Sequence, residues 1–402
     1  MKIALFPDDY LPSSTLVHAK MFHELALELK RRGHEPIIVT PSHGRQDQRL
    51  TVGKLDGIEV WRFRSPPMRG KGKVQRVVSE SLLSLNAYLA LKKAAHIKSF
   101  DACVNYSPTI FFGPLMHWLK RHCGTYNYLV LRDMFPQWVI DEGLISSKSP
   151  IANYFRFFEK INYNASDTIG LMSPANLMYF SKLHPNYQNL QVLRNWADVS
   201  PKSFSCSLID IRKQCQLDDK VIYFYGGNIG HAQDMANLLR LVESMQAYPE
   251  AHFLFIGQGD EFELVEKAKK NKNLDNLTLL PSISQEAYKE VLTQVDVGLF
   301  SLAKTHKAHN FPGKLLGYMV QSLPILGSVN RGNDLIEFIN DQGAGKAYIN
   351  GEDQSLYEAA LMLLKDKASR KEMGSKAHEV LKASFSVEAA ASQIIDTIEK
   401  TN

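Results

Sequence analysis

Lys2–Thr40, KIALFPDDYLPSSTLVHAKMFHELALELKRRGHEPIIVT, holds one complete strand, helix and strand. KIALF is a short apolar run that stops at Pro7, Asp8 and Asp9, as a buried strand does where it meets a turn. HAKMFHELALELKRRGHE follows with apolar residues at helical spacing, basic residues in its last turn and Gly33 at its end, the pattern of an amphipathic helix with a glycine stop. PIIVT is apolar and β-branched again. Two strands joined through a helix in so short a span specify a parallel pair with the helix packed against it.

The same alternation continues on both sides of a break in the chain. Strand-like runs recur at IEVWRF, DACVNYS, YNYLVLRD and DTIGLMS, and after QNLQVLRNWAD the series restarts. KVIYFYGGNIG and AHFLFIGQGDE are strands that end in glycines; LTLLPSI, VDVGLFSL and PILGSV follow, with helical patterns between them. Two successive series predict an α/β protein of two doubly wound, Rossmann-like domains whose strand ends face a shared cleft. We place the first domain at residues 1–197 and the second at 198–378, with a C-terminal helical segment, 379–402, that braces the second domain or crosses to the first.

Composition bounds the partners. At 402 residues, 45% apolar and 22% charged, the chain is an ordinary globular protein long enough for two domains. Four scattered cysteines lack metal-like spacing, so we expect no disulfide framework and no zinc. The N-terminus is too short in apolar residues for a signal peptide, and no apolar run reaches bilayer length, which leads us to expect a cytoplasmic protein. The net charge is +5, but Arg62, Arg64, Arg69, Lys71, Lys73 and Arg76 crowd one segment free of acids. That segment is either a solvated loop or a patch for anionic lipid or a pyrophosphate-bearing substrate. No nucleic-acid-binding pattern accompanies it.

Chemistry is expected beyond the carboxyl ends of the strands. Gly226, Gly227, Asn228 and Gly230 in GGNIG, and Gly257 and Gly259 in IGQGDE, are either structural turns or places where a diphosphate approaches backbone N–H groups. HKAHNFPGKLLGYMVQSLP, residues 306–324, gathers His306, Lys307, His309 and Lys314 before and within the first turn of a helix, where free N–H groups also favour an anion. Pro312 suits that first turn, and Gly313 lies beside it. Gly317 then sits mid-helix at a cost of about 1 kcal/mol relative to alanine, so its missing side chain needs a reason.

In the first domain Asp9, Thr15, His18 and Lys20 lie at or after the end of the first strand. They are candidate acceptor contacts, although Asp9 also suits a turn and His18 an ordinary helix face. Arg132 and Asp133 follow YNYLVL and are either a buried ion pair or ligand contacts. We find no paired acids placed for a metal: Asp218 and Asp219 precede a strand, while Asp260 and Glu261 suit a helix start.

The ordered set RRGHEPIIVTP, LRNWAD, GGNIG, FLFIGQGDE, VDVGLF and FPGKLLGYMVQSLPIL resembles the retaining glycosyltransferases of family 4, over nearly the whole chain. FPDDYLP, AKMFHEL, LRDMFPQW and HNFPGKLLGYM are most similar to bacterial L-fucosamine (N-acetyl-L-fucosamine) transferases of O-antigen and capsule assembly. The resemblance implies a GT-B fold, a UDP-sugar donor on the second domain, and a polyprenyl-diphosphate-linked saccharide acceptor on the first, used at the inner face of the plasma membrane. It implies no metal and no cofactor beyond the UDP-sugar substrate. It also implies two glutamates seven residues apart, at the positions held here by His309 and Gly317, so both carboxylates are missing. Either this subgroup holds its donor differently or transferase activity is lost. On this scheme His309, Lys314 and Asp133 form the candidate catalytic set. A nucleotide-sugar 2-epimerase and an inert nucleotide-sugar-binding partner are the competing readings.

Overall fold

The computed structural model describes all residues except 15, 43–45, 67–72, 93–99, 108, 142, 197–198, 200–208, 306–310 and 401–402. In chain order the strands of the first unit are β1 (Lys2–Phe6), β2 (Glu35–Ser42), β3 (Leu50–Leu55), β4 (Ile58–Arg64), β5 (Ala102–Ser107), β6 (Tyr126–Leu131), β7 (Thr168–Leu171) and β8 (Leu190–Val192). They form one sheet in the order β3-β4-β2-β1-β5-β6-β7-β8. Every pair is parallel except β3 with β4. After Lys2, KIALF is apolar throughout because β1 lies between β2 and β5 with helices packed on its faces. The helix Val17–Arg31 buries Met21, Phe22, Leu25, Ala26 and Leu29 and closes at Gly33, whose N–H reaches the Lys30 carbonyl.

The second unit contains β9 (Val221–Asn228), β10 (Ala251–Gln258), β11 (Leu277–Pro281), β12 (Val297–Ser301), β13 (Ile325–Val329) and β14 (Gly345–Ile349). Their order is β11-β10-β9-β12-β13-β14, all parallel. The chain builds outward from β9 in one direction, then returns to start again at β12, so the crevice between β9 and β12 is the switch point at which such sheets hold ligands. The first sheet has its own switch between β1 and β5.

The chain divides into one unit of Met1–Ala197 with Val387–Asn402 and another of Asp198–Ser386. The last segment leaves the second unit at Ser386, not at 378. Residues 379–384 continue the helix Lys367–Ser384, and Phe385 packs on Phe311, ring centroids 4.5 Å apart. The helix Val387–Glu399 then places Val387, Ile394, Ile395 and Ile398 in the same core as Leu25 and Leu29. Arg32 ties it down by donating to Ser392 Oγ at 2.7 Å and the Glu388 carbonyl at 2.8 Å. Among the described residues no helix is long and apolar enough to cross a membrane.

Candidate functional site

At the switch of the second unit, the stretch read as a glycine turn is still strand. Gly226, Gly227 and Asn228 pair with Ile256, Gly257 and Gln258, and the turn begins at Ile229. Tyr318, on the helix Lys314–Val320, reaches across the switch: its hydroxyl accepts from Gly226 N at 3.3 Å and donates to the Leu299 carbonyl at 3.0 Å. Gly298 makes this possible, since a Cβ there would lie 2.3 Å from the Tyr318 ring. The helix is thereby fixed against β9 and β12 with its first residue, Lys314, at the strand ends.

Lys314 turns inward. Its Nζ lies 3.4 Å from the centroid of the Tyr225 ring and has no hydrogen-bond partner among the described residues. Burial holds its pKa well below the ordinary lysine value. The ring face recovers part of the lost hydration, but a desolvated ammonium without a counter-charge is an unfinished interaction. Gly227, at φ +113°, presents its side-chain direction to Lys314, with the lysine Cε 3.9 Å from where a Cβ would be. Lys314 and Gly227 are thus two predicted residues that the fold brings together.

The other predicted positions of this unit divide. A Cβ on Gly257 would lie 1.8 Å from the Gly227 carbonyl oxygen, and one on Gly259 2.2 Å from that of Ile229, so chain fills the room these glycines leave. Gly226 similarly makes room for the Tyr288 ring, and Gly230 for Asn228 and Asp260. Asp260 accepts from His231 N at 3.1 Å, and Glu261 from Met235 N at 3.0 Å. Glu261 therefore occupies the start of the helix Met235–Ser244 and Asp260 the short turn His231–Gln233 before it, which leaves Lys314, among the described residues, as the cationic group at this switch. Pro312 precedes the helix rather than entering it: Gly313 is the exposed cap residue, and Leu315 N reaches the Pro312 carbonyl. Near Gly317 the neighbour a side chain would meet is Leu292, 3.1 Å from the Cβ position. His306, Lys307 and His309 lie outside the described residues, as does Thr15.

In the first unit a second cluster gathers at the ends of β1, β5 and β6. His18 stacks on Tyr106, centroids 4.8 Å apart, and its Nε2 lies 2.8 Å from Asp8 Oδ1. Arg132 is buried and donates to the carbonyls of Leu131 and Arg194; its Nε has no partner among the described residues, and burial draws its pKa down to about 10. Burial pushes Asp133 up, with Arg132 opposing and Asp8 adding to the rise. No ion pair joins Arg132 to Asp133 among the described contacts, so the salt-bridge alternative is not what holds them. Asp9, by contrast, serves its turn, accepting from Tyr10 N and Ser14 Oγ, each at 2.9 Å. Lys20 pairs along its helix with Glu24 at 3.0 Å. Among the described residues no group of three or more His, Cys, Asp or Glu is arranged for a metal ion.

Sequence reading missed Tyr225 and Tyr318, the ring under Lys314 and the bolt across the switch. Their signal was spacing alone, Tyr225 directly before the first glycine and Tyr318 one helical turn after Lys314.

Residues 209–380, most of the second unit, match the family model described as glycosyl transferases group 1. With two Rossmann-like domains of parallel sheet, the class is a GT-B fold whose second unit carries the group 1 sequence signature. WcaI of Escherichia coli K12, described as a colanic acid biosynthesis glycosyl transferase, is 24% identical over 321 residues, 74% of this chain and 76% of its own. Sucrose-phosphate synthase from Thermosynechococcus elongatus has a similar structure, with a TM-score of 0.71 at 16% identity, over 100% of this chain and 98% of that one. Anabaena HepE in complex with UDP and glucose gives 0.67 at 13% identity, over 100% of both chains.

Proposed function

We propose that the protein transfers a sugar, N-acetyl-L-fucosamine as our best assignment, from its UDP-sugar to a lipid-diphosphate-linked saccharide in surface polysaccharide assembly, with retention and without a metal. The observation that carries the donor half is Lys314, its ammonium buried over Tyr225 and beside Gly227 at the β9/β12 switch. In the reaction the bond from the anomeric carbon to the UDP oxygen breaks, and negative charge gathers on the departing diphosphate. Lys314 neutralises that charge, with His309 as a further donor. The acceptor oxygen forms its bond to the same face of the sugar, and its proton passes to a leaving diphosphate oxygen. Asp133, His18 and Arg132 position the acceptor.

The polysaccharide assignment is supported by WcaI, glycosyl transfer by the group 1 match, and the UDP donor by the UDP and glucose bound to HepE. A lipid-linked acceptor and the basic segment Arg62–Arg76 both support the membrane surface as the place of action. Thermal shift with UDP and a panel of UDP-sugars tests the donor half, because a ligand that binds only the folded state raises the midpoint. A transfer assay with the donors that bind tests the rest. UDP binding without acceptor-dependent product, on every donor, would replace the transferase reading with that of an inert binding partner.

A further inference from the structure

We propose that the helices Lys73–Ser81, Leu83–Leu91 and Pro150–Ala165 present one shallow docking face for an anionic lipid bilayer. The first two are nearly continuous, since Leu82 N reaches the Val78 carbonyl and Asn86 N the Leu82 carbonyl. Val78, Leu82 and Leu85, at helical spacing, leave 54%, 38% and 50% of their surface exposed. On the third helix Ile151, Tyr154 and Phe157 leave 44%, 38% and 61% exposed. Isolated exposed apolar residues are ordinary, but a contiguous set is not. Here the two sets meet: the Tyr154 hydroxyl donates to Ser81 Oγ at 2.6 Å, and Tyr154 and Phe157 both pack on Phe158.

Charge decides the occupant. Between Lys73 and Lys92 the single acid is Glu80, and between Lys148 and Ala165 it is Glu159. Arg76 pairs with Glu80 at 2.7 Å, and Glu159 is buried. Lys92 and Lys148, at the ends of these helices, and Lys160, next to the inward-turned Glu159, are exposed and form no ion pair among the described residues. An apolar, partly aromatic face with exposed, unpaired lysines on and at the ends of its helices matches the boundary between acyl chains and anionic headgroups. The inference deepens the proposed membrane-linked function and rests on it for its purpose, while its own chemistry rests on these two stripes.

The test is flotation of the full chain with phosphatidylglycerol-containing vesicles and with pure phosphatidylcholine vesicles, at low and raised salt, alongside Leu85→Ser/Phe157→Ser. We expect binding to anionic vesicles that raised salt weakens, a loss on the order of tenfold in partitioning for the variant, and unchanged thermal midpoint and UDP shift. Flotation that ignores anionic lipid, or a variant that floats as well as the parent, overturns the proposal. A parent that is dimeric by light scattering without lipid, and a variant that is monomeric, would overturn it in favour of a second copy of the chain. Loss of the UDP shift in the parent would instead count against the donor reading and leave the flotation result to stand by itself.

Discussion

Burying the Lys314 side-chain nitrogen over Tyr225, with no carboxylate against it among the described residues, sets the stability of the free protein against affinity for an anion. Lys314→Met keeps the bulk and removes the charge, so it should raise the stability of the unliganded protein by about 1–3 kcal/mol while abolishing the UDP-dependent thermal shift. A variant that kept the shift would remove Lys314 from the site. The lowered pKa of Lys314 also fixes a sign. Between that lowered value and the ordinary lysine range the unfolded chain holds more protons, so the cost of burial fades as pH rises through the window. Binding a diphosphate restores the proton. Calorimetry of UDP binding from neutral pH up to the ordinary lysine range, in buffers of different ionisation enthalpy, should therefore report proton uptake that grows with pH, and its absence throughout would mean that Lys314 is already charged. Gly317 is a different kind of residue, since among the described residues only Leu292 stands near its missing side chain. Gly317→Glu should fold and leave UDP affinity no better; tighter binding with faster transfer would show that the position awaits the family carboxylate.

Among the elements, the contrast between two glycines is testable. Gly257→Ala drives a Cβ into the Gly227 carbonyl and should cost about 2 kcal/mol or more in urea unfolding, lowering UDP affinity as the end of β9 shifts. Gly313→Ala, with nothing among the described residues within 4 Å of the Cβ position, should do neither. Helix Pro150–Ala165 carries a pH effect, because burial pushes Glu159 up to about 7, with the Tyr163 hydroxyl at 3.2 Å opposing. The folded state then keeps a proton that the unfolded chain gives up above the ordinary glutamate range. Stability from this site is complete at acid pH and lost as pH rises towards 7, so the gain of Glu159→Gln over the parent should be larger at pH 8 than at pH 5. An equal gain at both would mean that Glu159 does not titrate there. The buried central strands were legible because each is an apolar run closed by a turn. β3 was not, since LTVGKL is an exposed edge strand with no apolar face. Its signal was the dipeptide Asp56-Gly57, both at positive φ, which is the mark of a two-residue hairpin. At the site, residue types pointed to Lys314, but only the strand order puts it beside Gly227. The packing roles of Gly257 and Gly259 depend on carbonyls from another strand, which spacing within one segment does not reveal.

For the whole molecule, the helix Val387–Glu399 is the decisive segment. Val387, Ile394, Ile395 and Ile398 together contribute roughly 6–12 kcal/mol of burial at typical values for such side chains, comparable with the net stability of a domain. A chain ending at Ser386 should therefore lose the cooperative unfolding of the first unit by calorimetry yet keep the UDP shift of the second; two intact transitions would refute the assignment. The same helix orders events on the ribosome. The second unit is an insertion within the first, so residues 198–386 can fold as soon as they emerge, whereas the unit begun at Met1 waits for its last helix with Leu25 and Leu29 uncovered. The part synthesised first is the part finished last, and its half-built core is the surface that needs protection from aggregation during synthesis.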